Sequence, residues 1–98
     1  MPDFMILTED VADGPAIRGR VRGDHLAWLK SDPSVRVMSA GPWLDDGGTM
    51  RGSLLLVEAP SRAALDSWLA DDPYAKAGLP ASVDIRPFKL AIGERHPG

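Results

Sequence analysis

The stretch Ser53-Leu54-Leu55-Leu56-Val57-Glu58-Ala59 constrains this chain most. Four consecutive apolar residues lie between Gly52 and Pro60, too short a run for a membrane span. It reads as a strand buried on both faces, because successive side chains in a strand point to opposite sides. Both faces of its sheet therefore need a cover. A chain of 98 residues makes one domain. At that size only roughly 60–65% of the unfolded surface is buried, so the helices available cover one face and something else must cover the other.

The remaining segments supply the rest of such a sheet. DFMILTE (3–9) is short and apolar and predicts strand one. Residues 13–33 predict a helix of roughly 15 residues that starts near Pro15 and stops before Pro33. SVRVMSAGP (34–42) alternates and is rich in valine, predicting strand two; WLDDGGTMRG (43–52) reads as a loop with its tip at Gly47-Gly48. Ser61 is a suitable N-cap for a second helix running to about Asp71. SVDIRPFKLAI (82–92) predicts strand four, with Pro87 pointing to an edge or a bulge. The order β-α-β-β-α-β is that of a ferredoxin-like α+β fold, a four-stranded antiparallel sheet with two helices on one face. It occupies residues 1–92 as one domain, with 93–98 expected to form a flexible tail. A second copy of the same sheet is the simplest cover for the open face, which predicts a homodimer through sheet-to-sheet packing.

Charge and composition narrow the function classes. The net charge is −3 with acids and bases interspersed, and no basic stripe favours nucleic acid. The opening MPDFMILTED has no basic region and no cleavage-like site, and no run approaches the length of a membrane span, so the expectation is a cytoplasmic protein without membrane contact. Without cysteine there is no disulfide and no thiolate ligand or nucleophile. His25 and His96 are too far apart in sequence to form a metal set, and no phosphate- or dinucleotide-binding glycine motif is present, so no metal or cofactor is expected.

Chemistry-bearing residues emerge from the helical periodicity. At about 100° per residue, Ile17, Val21 and Trp28 cluster on one side of helix one; His25 falls within that apolar half and Arg22 lies beside it. Two arrangements fit. A neutral His25 tied to a backbone carbonyl is one; the other is a pocket under the helix, lined by His25 and an arginine suited to anions. Ser39 on strand two, Ser53 at the start of strand three and Gly41 in the SAGPW turn are placed to touch a ligand, although small residues at strand ends also serve packing. Asp72 precedes Pro73, the pattern of an N-cap with proline at the first helical position. Whether its carboxylate also does chemistry is open on spacing alone.

Several of these stretches together resemble a known family. RGDHLAWL (22–29), SAGPW (39–43), GSLLLVEAPSRAALDSWLADDPYAKAG (52–78) and VDIRPFK (83–89) are similar to the YCII-related, YciI-like proteins of the dimeric α+β barrel superfamily. The similarity runs from strand one to strand four. Its most specific parts are Arg-x-x-His-Leu on helix one, Ala-Gly-Pro after strand two and Asp-Pro-Tyr after helix two. It implies two subunits closing a barrel sheet to sheet, and an active site built on a histidine and an aspartate, by position His25 and Asp72. Beside that dyad, the expected substrate-binding residues are Arg22 to anchor an anion, Ser39 or Ser53 to donate hydrogen bonds, Gly41 to allow close approach, and Tyr74. The loop at 43–52 is shorter than is usual in the family, which bears on the substrate because loops shape pockets.

A histidine held by a carboxylate suits proton transfer near neutral pH. With no nucleophile or redox group beside it, the implied chemistry is elimination, such as dehydrochlorination, or isomerisation of a small anionic or aromatic-derived metabolite. The family includes a chlorohydroxyhydroquinone dehydrochlorinase and the wider superfamily a muconolactone isomerase. The alternative is a non-catalytic module that binds a small ligand or dimerises as an accessory subunit, since fold alone licenses no activity. The discriminating observation is whether His25 meets Asp72 at a hollow or is sealed against a carbonyl.

Overall fold

The computed structural model of the protein describes residues 1–93. His96 and the tail expected at 93–98, Gly93 apart, lie outside the described residues. The elements are β1 (Asp3–Asp10), α1 (Gly14–Trp28), β2 (Arg36–Leu44), β3 (Met50–Glu58), α2 (Arg62–Ala70), α3 (Pro73–Lys76) and β4 (Pro80–Phe88). The sheet order is β2-β3-β1-β4, with every neighbouring pair antiparallel. This is the ferredoxin-like arrangement that the segment order predicts.

The local signals act as chemistry requires. Ser61 accepts from the Ala64 backbone N–H at 3.1 Å and starts α2. Asp72 does the same for α3, accepting from the Tyr74 N–H at 2.9 Å. Gly78 ends that turn with a φ of 78°, a backbone conformation that side chains disfavour. Strands β2 and β4 form the two sheet edges, where Pro42 and Pro87 cost no ladder bond in the sheet interior.

The main differences from the sequence expectation lie in the β2–β3 hairpin and in strand four. Half of the segment 43–52 is strand, and only residues 45–49 form the turn. The Asp45 carboxylate explains the tightness: it accepts from the backbone N–H groups of Gly47 and Thr49 and from Arg51 Nε, which closes the hairpin early. Trp43 then lies in β2 and donates its indole N–H to the Thr8 carbonyl at 2.7 Å. Strand β4 begins at Pro80 and ends at Phe88, earlier at both ends than the expected 82–92.

The core lies between the helices and one sheet face. Phe4 and Ile6 of β1, Leu55 and Val57 of β3, Trp28 of α1, and Leu65 and Trp68 of α2 are buried together. The two indoles stack with centroids 4.0 Å apart. A smaller cluster of Ile17, Tyr74 and Leu79 packs α3 under α1. The leucine run of β3 splits by parity. Leu55 and Val57 are buried beneath the helices, while Leu54 is 40% exposed on the face that carries no helix, with Leu7 beside it equally exposed. Within one chain the double-faced burial predicted for this strand is thus only half satisfied.

Candidate active site

Helix α1 brings two polar side chains inward among its apolar ones. His25 is 8% exposed and Arg18, two turns earlier on the same face, is 5% exposed. The short helix α3 packs against this face and delivers Asp72 and Tyr74. His25 Nδ1 and Asp72 Oδ1 are 2.9 Å apart. The same Oδ1 accepts the Tyr74 backbone N–H at 2.9 Å. The cap and the histidine contact therefore share one oxygen, and the helix geometry that fixes the cap also fixes the imidazole partner. An ionised carboxylate only accepts, so the proton of a neutral His25 resides on Nδ1 and its Nε2 carries the free lone pair.

The Tyr74 ring stacks on the imidazole, with centroids 3.9 Å apart and planes 18° from parallel. Trp28 flanks the other side of the neighbourhood at 5.5 Å. The Arg18 guanidinium carbon lies 5.2 Å from the centre of the Tyr74 ring, within cation–π range. Burial pushes the Tyr74 phenol above its ordinary value, while the guanidinium groups of Arg18 and Arg22 pull it the other way.

Two hollows meet at these residues. One, of about 50 Å³, is mainly apolar and lies between Ile6, Leu55, Leu69, Leu79 and the His25–Asp72 pair. The other, of about 120 Å³, is lined by Arg18, Arg22, Leu26, Gly41, Pro42 and Met50. His25, Ser53, Leu55 and Tyr74 belong to both walls. Their volumes together are slightly larger than the cavity of about 150 Å³ that admits one benzene ring. One compartment is mainly apolar and the other is lined by two guanidinium groups.

The structure gathers most of the sequence-derived residues and leaves one out. His25, Asp72, Ser53 and Tyr74 line the first hollow, and Arg22 and Gly41 line the second. Ser39 does not belong. It pairs with Leu56 across β2 and β3 after a bulge between Val37 and Ser39, which turns it to the face without helices. Arg22 is exposed at the rim and is not the buried arginine of the helix. That role falls to Arg18, which sequence reasoning missed. The signal was its seven-residue spacing from His25, two helical turns on one face. Its buried partner Asp10, at the end of β1, has no local pattern that would reveal it.

Comparison with known proteins agrees with this architecture. The YCII-related domain matches residues 3–89. The chain belongs to the YCII-related family. The YciI protein of Escherichia coli is 34% identical over 93 residues, covering 88% of this chain and 95% of that protein. An uncharacterised protein of Haemophilus influenzae is 33% identical with the same coverage. Among solved structures, the chain is similar to the 5-chloro-2-hydroxyhydroquinone dehydrochlorinase of Burkholderia phenoliruptrix, seen in complex with 2,5-dihydroxybenzoquinone. That similarity has a TM-score of 0.80 at 30% identity and covers 91% of this chain and 95% of the dehydrochlorinase. The YCII-related fold thus extends over every element described here.

Proposed function

We propose that this YCII-related protein is a small-molecule enzyme that works by proton transfer, with His25 as general base and acid and Asp72 holding its tautomer. The observation that carries the reading is the 2.9 Å contact between His25 Nδ1 and Asp72, with His25 on the walls of two adjoining hollows. A histidine serving only the core would be tied to a carbonyl with no space beside it. The geometry leaves Nε2 to take a proton and return it. Arg22, at the rim of the second hollow, holds the anionic substituent, and Tyr74 and Leu55 contact the ring.

The reaction class is elimination or isomerisation on an oxygen-substituted ring, and similarity to the dehydrochlorinase supports it. In an elimination, His25 removes a proton, the released electron pair forms a new double bond, and the leaving group departs with its own bonding pair. Hydrogen chloride lost in this way needs no oxidant. The unhelixed sheet face, with Leu7 and Leu54 exposed, is covered by a second copy in this proposal, giving the homodimer.

The test is a thermal-shift screen of ring-derived anions, 2,5-dihydroxybenzoquinone among them, on wild type and His25→Ala. A ligand that stabilises the first and not the second supports the reading. Chloride release from 5-chloro-2-hydroxyhydroquinone, abolished in His25→Ala, would name the reaction. Identical behaviour of both proteins with every ligand would remove the catalytic assignment.

A further inference from the structure

Arg18 and Asp10 are the most deeply buried ion pair described, and the proton-transfer reading gives them no task. Arg18 Nε lies 2.7 Å from Asp10 Oδ2 and Nη2 lies 3.1 Å from Oδ1, a two-pronged contact. The side chains are 6% and 1% exposed. The contact is built for closeness. A β-carbon at Gly14 would stand 2.9 Å from Asp10 Cβ, so the missing side chain there lets the carboxylate tuck against the start of α1. Removing two charges from water is costly, and a pair in this position adds little net stability over apolar packing. Its geometry has another consequence.

Nη2 of Arg18 also donates to Ser53 Oγ at 2.8 Å. A guanidinium has donors and no acceptor. Ser53 can therefore only accept from Arg18, and its own hydroxyl proton needs a different partner. Among the described residues no bond from that hydroxyl to a protein acceptor is found, and none joins it to His25. Ser53 is buried, and it lines both hollows. Its backbone N–H is held by Thr8 Oγ1 at 3.0 Å, and the 2.8 Å bond from Arg18 holds the side-chain oxygen.

We infer that Asp10 and Arg18 are positioning residues that lock Ser53 as a hydrogen-bond donor aimed into the hollow, where it binds a ligand oxygen across from His25. Asp10 fixes the plane of the guanidinium. The guanidinium occupies a lone pair of Ser53 Oγ, which polarises the O–H bond and makes the oxygen a poor nucleophile. The hydroxyl then stabilises negative charge that gathers on a carbonyl or phenolic oxygen as His25 removes a proton elsewhere on the ring. This assigns the ligand class more narrowly than an anion alone: a ring oxygen that becomes enolate- or phenolate-like during reaction. The inference rests on the small-molecule reading above.

The experiment is a spectrophotometric titration with 2,5-dihydroxybenzoquinone, which is coloured and anionic at neutral pH. Wild type, Ser53→Ala, Arg18→Lys and the double variant are compared. Loss of a donor to a charged oxygen weakens binding roughly 10- to 100-fold in Ser53→Ala. Arg18→Lys, which loses the two-pronged geometry, weakens it several-fold. The double variant binds no worse than Ser53→Ala, because Arg18 acts through that hydroxyl. Unchanged binding in Ser53→Ala, or multiplying losses in the double variant, would overturn the inference and leave the His25 reading intact. If Arg18→Lys does not fold, Asp10→Asn combined with Arg18→Gln removes both charges and takes its place. Failure of wild type to bind the quinone counts against the proposed function, whereas quinone bound equally by wild type and Ser53→Ala counts against this inference alone.

Discussion

Replacing Asp72 separates its two tasks. In Asp72→Ala the cap of α3 is lost, which costs about 1 kcal/mol. The His25 Nδ1–H, on a side chain that is 10% exposed, loses its acceptor as well, at about 1–3 kcal/mol. The two losses share one oxygen, so the expected destabilisation is about 2–4 kcal/mol. For a chain of this length that lowers the melting temperature by roughly 10–30 °C. Asp72→Asn behaves differently. Its amide oxygen still accepts from both N–H groups, so stability falls by less than about 1 kcal/mol. On the proposed proton-transfer mechanism, activity is lost in both variants, because neither offers a negative charge to the imidazolium that would form. The assay is urea unfolding followed by tryptophan fluorescence, with the denaturant slope held constant as the sign that the native fold is kept. The reasoning is refuted if Asp72→Ala costs less than about 0.5 kcal/mol, below even a weak cap. Equal stability loss in the alanine and asparagine variants would refute it too.

Three further outcomes follow from the same geometry. Tyr74 is the chain's one tyrosine, so its ultraviolet titration is read without overlap; burial, its largest perturbation, places the native midpoint above 10.0, against a midpoint near that value in denaturant. Because the folded state holds this proton more tightly, the associated stability is complete below the unfolded midpoint and is lost as pH rises through the folded one. Leu65→Ala removes a side chain with no exposure from the centre of the core and should cost about 2–5 kcal/mol in the same urea assay. In the proposed homodimer, Leu54→Glu places a charge in the interface; the sedimentation coefficient should fall from a dimer's to a monomer's while circular dichroism stays native, and a dimer's coefficient kept in the variant would rule that face out as the interface.

Legibility varied with the range of the interaction. The strands at 3–9 and 53–59, the helix from Pro15 toward Pro33 and the caps at Ser61 and Asp72 depend on neighbours within a turn or two, and these were readable. The 43–52 segment was misjudged because two glycines outweighed its flanks. The turn is set by Asp45 reaching Thr49 and Arg51, and Trp43 is held in its strand by Thr8, 35 residues away. Ser39 was misplaced by a single bulge, which reverses side-chain direction without leaving a mark in the residue pattern. His25 was found because a polar residue on an apolar helical face breaks the period. Arg18 breaks the same period beside His25 on the helical wheel, and its role shows only through its contacts with Asp10 and Ser53 on strands β1 and β3.

The sequence by itself determined the order of elements, the sheet they build, a histidine on the apolar face of the first helix and an aspartate placed to cap the turn at Pro73. These follow from backbone propensity and hydrophobic period, which act over a few residues. Only the tertiary structure decided that Asp72 gives one oxygen to both a helix cap and His25, 47 residues apart, and that Arg18 joins Asp10 to Ser53. Those bonds join side chains from different elements, and their directions are fixed only when the helices settle on the sheet.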